Sequence, residues 1–348
     1  MHLNFYLPKY LNGGGELLTT ELIKCIAIEN KEITLSLYCQ DSKKIPYLPT
    51  NILNELHYSR KVLMIIGIFK SNFNNYFKAK CNCNISVLSG MIIYNGFINI
   101  FFRQKLICVE HSNLKFFYFK QGNFFKKKLR IFLYNIALLS VEKLIFVSDR
   151  AMNDSVENIW SINRKKIFVL ENPIIDIRNK LNLTKSKNIT LSHYLIIGRY
   201  SPEKRIQEGL QLLIKNEVRG QIIVVSKVNK KIIQKFEKHK NIKFYCDYSK
   251  VPPMDLHETL LLNFGLVESF SLVIGEWLKA GGYVASSNDS SCNEIWKKYR
   301  GFYQLNESEN FNLIINEIKN LNKQDKRPLF HGRTIHEYKD CFLDLIKN

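Results

Sequence analysis

The feature that most constrains this chain is a repeated alternation between short apolar runs and longer segments with helical periodicity. This alternation is typical of a parallel sheet covered by helices, because parallel neighbours need a crossover connection that a helix supplies. The polar stretch Arg178–Ser192 divides the predicted strands into two series and is interpreted as a linker. The strands are His2–Leu7, Glu32–Tyr38, Lys61–Phe69, Lys105–Glu110, Lys143–Ser148 and Lys166–Leu170, then His193–Ile197, Gln221–Ser226, Ile242–Cys246, Leu260–Phe264 and Tyr283–Ser286.

The length of the chain indicates more than one domain. At 348 residues it exceeds the usual single-domain size, so two α/β domains of about 150 residues each are expected. The sequence predicts two Rossmann-like domains facing each other across a cleft, at 1–175 and 193–330, with the linker at 176–192. A helical stripe of Ile335, Tyr338, Phe342 and Ile346 predicts that the last piece, 331–348, is a helix that packs back on the body.

The chain is strongly basic, with a formal net charge of +20 at pH 7. A basic surface attracts phosphate-rich polymers, anionic lipids or acidic substrates. A compositional bias of the coding sequence explains the charge equally well, since Lys, Asn, Ile and Phe are all abundant. No helix-turn-helix, zinc-finger or RNA-recognition signature is present, so nucleic acid is not an expected partner.

Aromatic and basic residues are concentrated in the segment Lys115–Lys143. Aromatic side chains beside clustered cations suit the interface of an anionic membrane. The longest apolar run, Gly90–Phe102, is too short to span a bilayer, and the eight cysteines show no repeating spacing. We therefore expect a cytoplasmic protein with reduced thiols that docks peripherally on the inner face of the membrane. A core helix with a solvated basic edge is the alternative.

Two features of the first half follow predicted strands. The turn Asn12-Gly13-Gly14-Gly15-Glu16 precedes a helix, and glycines there allow close backbone approach to a ligand at the helix N-terminus. His111 comes just after the strand that ends at Glu110. Open parallel sheets bind ligands beyond the carboxyl ends of their strands, so both are candidate site residues. A plain tight turn and a structural histidine are the alternatives.

Two cations and two carboxylates follow strands of the second half. Arg199 leaves the strand His193–Ile197, and Lys204 lies about one turn into the next region, where both can stabilise a departing diphosphate. Glu268 precedes the predicted helix Leu272–Lys279 and Glu276 lies inside it, so that both can accept hydrogen bonds from sugar and ribose hydroxyls. Ser271 is the predicted N-cap of this helix. Solvated surface charges are the alternative for each residue taken singly.

The order of these motifs resembles glycosyltransferase family 4, which has the GT-B fold. The resemblance rests on the segment Gly-Arg-x-x-Pro-Glu-Lys at 198–204, on two glutamates separated by seven residues, and on the early glycine-rich turn ending in Glu16. It covers nearly the whole chain. Further matches in the same order are Ser148, Asn172-Pro173, Ala280-Gly281 and Asn293-Glu294-Ile295.

The resemblance implies a retaining transfer of a hexose-type sugar from a nucleotide-diphosphate sugar to a glycan or lipid-linked acceptor, in surface polysaccharide or lipopolysaccharide assembly. It implies no metal and no other cofactor, in agreement with the lack of an Asp-x-Asp motif. The roles it implies are as follows: Arg199 and Lys204 bind the diphosphate, Glu276 the ribose, Glu268 the sugar hydroxyls, Ser271 and Leu272 the donor, Gly14 and Gly15 the phosphates and acceptor, Glu16 the acceptor, and His111 the reacting sugar.

The sequence departs from the family pattern at one point of the site. Ser269 and Ser271 stand where the family usually has glycines, and they add side chains beside the backbone that contacts the donor. The sequence is also compatible with two other functions. One is a non-catalytic GT-B protein that binds a glycan or nucleotide, and the other is a nucleotide-sugar epimerase.

Overall fold

The chain divides into two compact units. The first contains Met1–Pro173 and Arg333–Asn348, and the second contains Ile174–Gly332. The computed structural model describes residues 1–7, 14–39, 52–57, 66, 69–70, 73, 83–114, 124–175, 177–179, 181–306, 311–321 and 326–347.

Within the described residues, the first unit is built on a sheet of seven parallel strands in the order β3-β2-β1-β4-β5-β6-β7. The strands are β1 His2–Leu7, β2 Thr34–Cys39, β3 Ile52–His57, β4 Cys83–Val87, β5 Leu106–Glu110, β6 Lys143–Phe146 and β7 Ile167–Val169. The helices that follow them in the chain are α1 Gly14–Glu29, α2 Ser89–Phe102, α3 Phe124–Leu138 and α4 Asp149–Val156.

Strands β1, β2, β4, β5 and β6 of this sheet are buried on both faces, which explains why their sequences are mostly apolar. In β5, Ile107 and Val109 join one core cluster, whereas Leu106 and Cys108 join another. Alternate side chains of a strand point to opposite faces, so each cluster lies on its own face of the sheet. Helix α2 packs closely on α3, since a Cβ added at Gly96 would lie 2.6 Å from Cβ of Ala137.

The C-terminal helix Ile335–Lys347 belongs to the core of the first unit. Tyr338, Phe342, Leu343 and Ile346 are buried in the same cluster as β1 and α1. The ring of Phe342 stacks on that of Phe5, with centroids 6.4 Å apart. The predicted return of this helix to the body is confirmed, and the body it joins is the first unit.

The unit boundaries differ from those drawn on the sequence. The first unit ends at Pro173 rather than at 175, and the chain returns to it at Arg333 rather than at 331. The predicted linker 176–192 is part of the second unit, because Ile177, Leu181 and Leu191 are buried there. These three buried residues anchor the segment. Most of its residues are polar, however, and its few apolar residues follow no regular period that would predict packing.

The second unit contains, in its described part, a sheet of six parallel strands in the order β11-β10-β9-β13-β14-β15 and a small pairing of β12 with β8. The strands are β8 Leu183–Thr184, β9 His193–Ile197, β10 Gln221–Val225, β11 Ile242–Tyr245, β12 Met254–Asp255, β13 Thr259–Asn263, β14 Tyr283–Ser287 and β15 Phe302–Leu305. The helices are α5 Ile206–Lys215, α6 Lys230–Phe236, α7 Leu272–Lys279, α8 Asn293–Trp296 and α9 Phe311–Leu321.

The strand predictions are correct for most of both sheets, with four exceptions. The predicted strand Lys61–Phe69 lies mainly outside the described residues, and Ile66 and Phe69, which are described, are helical. The sequence interpretation missed β3, β4 and β15 of these two sheets, and it also missed the short pair β8 and β12. Among the described residues, no helix is both long enough and apolar enough to cross a bilayer.

The buried ring of Phe342 provides a test of how the C-terminal helix contributes to stability. We expect Phe342→Ala to lower the free energy of unfolding by about 3–5 kcal/mol, because it removes a fully buried aromatic ring and leaves a cavity. Denaturant unfolding followed by circular dichroism measures this change. Cys341→Ala is the matched control. Cys341 directly precedes Phe342 but is exposed, so its substitution should change the free energy of unfolding little. Equal stabilities of the two variants would contradict the packing described here.

Candidate functional site

Each sheet has a point at which its strand order reverses. In the first unit the chain runs outward from β1 to β2 and β3, then returns to place β4 on the other side of β1. In the second unit β9, β10 and β11 run outward, and β13 returns beside β9. Ligands of open α/β sheets bind beyond the carboxyl ends of the strands at such points. The predicted residues that follow strands at or next to these points are Gly14, Gly15, Glu16 and His111 in the first unit, and Arg199, Lys204 and Glu268 in the second.

The structure brings Gly15 and His111 into contact. Gly14, Gly15 and Glu16 form the first turn of α1, and His111 directly follows β5. A Cβ added at Gly15 would lie 2.9 Å from Cγ of His111, closer than real Cβ atoms approach. Glycine is therefore required at this position for the imidazole to lie against the start of the helix. Asn12 and Gly13, which begin the predicted glycine-rich turn, lie outside the described residues.

The imidazole of His111 lies in a desolvated environment. Its Nδ1 atom is buried and has no hydrogen-bond partner among the described residues. Burial lowers the pKa of His111 to about 4. The ring is therefore neutral at pH 7, and one of its nitrogens can accept a proton or hydrogen bond while the other donates.

Glu110, the residue before His111, is completely buried. Its Oε1 accepts hydrogen bonds from the backbone N–H of Ser112 at 2.9 Å and from Oγ of Ser89 at 3.3 Å. Its Oε2 accepts a longer one from the hydroxyl of Tyr134 at 3.4 Å. Burial raises the pKa of Glu110 to about 7, because desolvation outweighs these hydrogen bonds to the charged form.

In the second unit, the predicted cations follow β9. Arg199 is exposed two residues after the end of the strand. Lys204 ends the 3-10 turn Pro202–Lys204, and its aliphatic stem would lie 3.6 Å from a Cβ added at Gly198. The turn thus folds the lysine back along the segment that carries Arg199.

Lys204 forms an ion pair with Glu268, in which Nζ contacts Oε1. Glu268 is only 7% exposed, and the cation compensates for the burial of its charge. The backbone of Glu268 is held by Ser291, whose Oγ accepts from its N–H at 2.8 Å and donates to its carbonyl at 2.9 Å. The carboxylate is therefore fixed both at its charged end and at its main chain.

The loop after Glu268 leads into α7 with an unusual backbone conformation. Ser271 precedes Leu272, the first residue of α7, and has a φ of 60°, in the left-handed region. Ser271 occupies the predicted N-cap position of α7, but its side chain makes no capping hydrogen bond. An N-cap residue normally has an extended backbone, which aims its side-chain oxygen at the free N–H groups. Nε1 of Trp296 donates to the carbonyl of Phe270 at 2.8 Å and holds the chain before the turn.

Glu276 lies in the second turn of α7 and is buried, with 3% exposure. Tyr248, in a 3-10 turn shortly after β11, lies within range of the charge of this carboxylate. Burial and the negative charge of Glu276 both raise the pKa of the Tyr248 phenol. The phenol and the carboxylate thus belong to one polar region next to α7.

The described residues contain one group with the spacing of metal ligands, formed by Cys25, Glu29 and His336 on α1 and the C-terminal helix. Glu29 already forms ion pairs with Lys339 and, through the other oxygen, with His336. Burial raises the pKa of the Cys25 thiol to about 11, which disfavours the thiolate that a metal requires. We interpret this group as a link between the two helices.

No protein-family model and no curated protein sequence matches the chain. Solved structures do. HepE of Anabaena, in complex with UDP and glucose, aligns with a TM-score of 0.70 at 12% identity, over 99% of each chain. The lipopolysaccharide outer core galactosyltransferase WaaB aligns with a TM-score of 0.66 at 13% identity, over 100% of this chain and 99% of that one.

The chain has the GT-B fold. The fold prediction is thus confirmed. The same fold also aligns with a UDP-GlcNAc 2-epimerase from Methanocaldococcus jannaschii, with a TM-score of 0.61 at 14% identity over 100% of each chain. At identities this low, the likeness describes the backbone and leaves the reaction to be argued from the site.

The sequence interpretation missed three residues of the site. The strand pattern identifies Glu110 only as the last residue of an apolar strand. A carboxylate at the end of a buried strand is rare, and this alone could have marked it as a candidate. Ser291 is one of several serines in a loop, and nothing local shows that it holds Glu268. Tyr248 approaches Glu276 only through the tertiary fold, so no spacing in the sequence indicates it.

The left-handed backbone of Ser271 leads to a stability prediction. We expect Ser271→Gly to raise the free energy of unfolding by up to about 1 kcal/mol, because glycine adopts this conformation without the Cβ clash. Ser269→Gly is the matched control, since Ser269 is not among the residues with positive φ and glycine there adds entropy to the unfolded chain without relieving a strained backbone. Denaturant titration of both variants measures the difference. A gain from Ser269→Gly equal to that from Ser271→Gly would contradict the conformational explanation.

Proposed function

We propose that this protein is a retaining glycosyltransferase of family 4, which transfers a hexose-type sugar from a nucleotide-diphosphate sugar to a glycan or lipid-linked acceptor. The observation that carries the proposal is the ion pair between Lys204 and Glu268. A cation for phosphate and a carboxylate for hydroxyls stand in contact where strands β9 and β13 end, beside the point at which the strand order reverses. This arrangement fits a ligand that carries phosphate and sugar hydroxyls next to each other.

The proposed donor site lies in the second unit. Arg199 and Lys204 bind the diphosphate and stabilise the charge that develops on it as the glycosidic bond breaks. Ser271 and Leu272 present the N-terminus of α7, whose dipole favours an anion. Glu276 accepts hydrogen bonds from ribose hydroxyls. HepE, a structure of similar fold, was solved with UDP and glucose bound, which supports a ligand of this class.

Glu268 has a different role in this proposal. It accepts hydrogen bonds from hydroxyls of the transferred sugar and orients the anomeric carbon toward the acceptor. When the donor binds, the ammonium of Lys204 is shared between the diphosphate and this carboxylate. The altered neighbours Ser269 and Ser271 lie next to this end of the site, so they are the first candidates for a change in sugar preference.

The proposed reaction retains the anomeric configuration through front-side attack, in which the leaving phosphate accepts the proton of the acceptor hydroxyl. Fixed cations provide the charge stabilisation, and no metal is needed in this scheme. His111, neutral at pH 7, contacts the reacting sugar. Gly14 and Gly15 give the backbone close access to the phosphates and acceptor, and Glu16 acts on the acceptor side.

Binding of nucleotides tests the donor site. We expect Lys204→Ala and Arg199→Ala each to weaken binding of a nucleoside diphosphate about 10- to 100-fold, because each removes a charged hydrogen-bond donor to phosphate. A thermal-shift screen of nucleoside diphosphates identifies the base, and calorimetry then measures the affinities. Lys187→Ala, at an exposed lysine of the same unit, changes the net charge equally and should not alter the affinity. Equal weakening by all three variants would indicate a general electrostatic effect instead of a site.

Product analysis separates this proposal from an epimerase, which shares the fold. With donor alone, a transferase leaves the sugar nucleotide unchanged or slowly hydrolyses it, whereas an epimerase converts the sugar. With an acceptor present, NMR of the product distinguishes retention from inversion. Turnover should persist in EDTA, and loss of turnover that manganese restores would refute the metal-independent scheme. A protein that binds nucleotides with no turnover in any of these assays would be the non-catalytic alternative.

We further propose that the protein is cytoplasmic and docks on the inner membrane face through the aromatic and basic segment predicted at Lys115–Lys143. Residues 115–123 lie outside the described part. The described remainder includes α3, which exposes the apolar side chains Phe124, Phe125, Leu129 and Phe132. Its exposed cations are Lys126, Lys128 and Arg130, and Nζ of Lys128 lies 4.6 Å from the ring centroid of Phe124. Such a face suits anionic headgroups and the acyl boundary together.

Liposome sedimentation tests this surface. We expect the wild type to sediment with phosphatidylglycerol vesicles and much less with phosphatidylcholine vesicles, because both the charge and the aromatics contribute. The double variant Phe124→Ser/Phe125→Ser should lose most of this binding. Trp160→Ser is the control, since Trp160 is also an exposed aromatic residue of the first unit but lies outside α3. Equal sedimentation of the wild type with both kinds of vesicle would contradict docking.

A further inference from the structure

Glu110 is a buried carboxylate to which none of the roles above assigns a function. It is 0% exposed and ends β5, immediately before His111. Charged groups are rarely buried unless a partner compensates for the loss of water. Here the donors are the backbone and side chain of Ser112 and the hydroxyls of Ser89 and Tyr134, all of them uncharged. Uncharged donors compensate only in part for the loss of hydration of an ionised carboxylate. Burying Glu110 therefore costs free energy, and its presence at this position requires an explanation.

The hydrogen bond to Ser112 determines the local geometry. Oε1 of Glu110 accepts from the N–H two residues later, so the side chain closes a tight turn whose middle residue is His111. On its other side, the imidazole lies against Gly15, where no side chain fits. His111 is therefore held between a turn closed by a carboxylate and the first turn of α1.

The hydroxyls of Ser89 and Tyr134 connect this turn to two helices. Ser89 is the first residue of α2, and Tyr134 lies on α3, the helix with the exposed aromatic and basic face. Tyr134 is itself buried. The carboxylate thus joins the end of β5, the start of α2 and the inner side of α3 at a single point.

We infer that Glu110 is a positioning residue that holds His111 in its reactive orientation when the carboxylate is ionised, so that its protonation lowers the rate of transfer. The inference rests on the proposed function, in which His111 contacts the reacting sugar. The titratable groups around Glu110 are Cys108 on β5, Tyr134 on α3 and His111 in the turn. Burial raises the pKa of the Cys108 thiol and lowers that of His111 to about 4, so neither changes its charge near pH 7.

The pH dependence has a defined direction. The pKa of Glu110 is raised to about 7, so the carboxylate is ionised above this pH and protonated below it. Ionised, it accepts the hydrogen bond of Ser112 most strongly and holds the turn closed. Protonated, it becomes a weaker acceptor and the turn loosens. Turnover should therefore rise with pH, with a midpoint near 7.

Glu110→Gln tests this role because glutamine has the shape of the protonated acid but cannot ionise. We expect its kcat to be about 10- to 100-fold below that of the wild type at pH 8, as for a small misplacement of a reacting group. The kcat should also be flat across pH 6–8, at the low-pH level of the wild type. The KM for the nucleotide sugar should change much less than kcat, since Arg199, Lys204, Glu268 and Glu276 lie in the other unit.

Tyr134→Phe is the conservative companion variant. It removes one hydrogen bond to the ionised carboxylate and keeps the buried ring, so the midpoint of the kcat profile should move to higher pH. A purely structural role of Tyr134 would leave the midpoint in place. If Glu110→Gln fails to fold, this shift alone decides the question.

NMR of the histidine rings gives a readout that needs no substrate. In the wild type we expect the His111 resonances, assigned with His111→Gln, to shift between pH 6 and 8 as Glu110 ionises, and this shift should vanish in Glu110→Gln. If no nucleotide sugar is turned over, the proposed function fails but the NMR result still tests the coupling. Wild-type kinetics without a limb near pH 7, or a Glu110→Gln variant with wild-type kcat at pH 8, would overturn the inference.

Discussion

The parallel direction of the strands is the constraint on which the rest of this structure depends. All strands of one sheet end at the same edge, so residues that follow different strands meet there however far apart they lie in the chain. In the first unit this rule brings Gly15, after β1, against His111, after β5. In the second it brings Lys204, after β9, into contact with Glu268, after β13. These site residues lie in loops or at a helix start, and the rigid sheet fixes their positions, as is usual for α/β proteins.

Three buried glutamates show how differently the fold can treat a carboxylate. Glu268 is paired with an ammonium and held at its backbone, so its charge is compensated. Glu276 lies near the phenol of Tyr248, on which its charge acts. Glu110 accepts hydrogen bonds only from uncharged groups of Ser112, Ser89 and Tyr134 and has a pKa raised to about 7. The environment therefore makes Glu268 a fixed anion, lets the charge of Glu276 act on a phenol, and allows Glu110 to change its protonation near neutral pH.

Much of the fold could be predicted from the sequence, because strands that are buried on both faces are nearly continuous apolar runs. Strands in which polar residues interrupt the apolar run were missed. β4, with the sequence Cys-Asn-Ile-Ser-Val, is fully buried, but two of its five residues are polar. Its Asn84 is satisfied by Asn4 and Gln104, and its Ser86 by Asn95, all of them outside the strand. Polar residues at a core position make sense only once their partners are known.

The candidate site was predictable in its members but less so in its contacts. Motif order and strand ends identified Arg199, Lys204, Glu268 and Glu276, yet the ion pair between two of them depends on tertiary packing. Ser271 shows the opposite case: its place at the N-cap of α7 was predicted correctly, but in its left-handed backbone conformation the side chain makes no capping hydrogen bond. A side chain can cap only if the main chain presents it correctly, and the main chain here is set by the loop from Glu268 onward.

The position of the C-terminal helix has a consequence for the order in which the protein can fold during synthesis. The core of the first unit requires Tyr338, Phe342 and Ile346, which leave the ribosome after every residue of the second unit. The second unit is a continuous segment, Ile174–Gly332, and all of its residues are available before the first unit can be completed. The first unit is therefore begun before the second but closes its core after the second unit has been synthesised. During that interval the face of α1 and β1 that receives the helix stays uncovered, and a chaperone or the membrane would find apolar surface there.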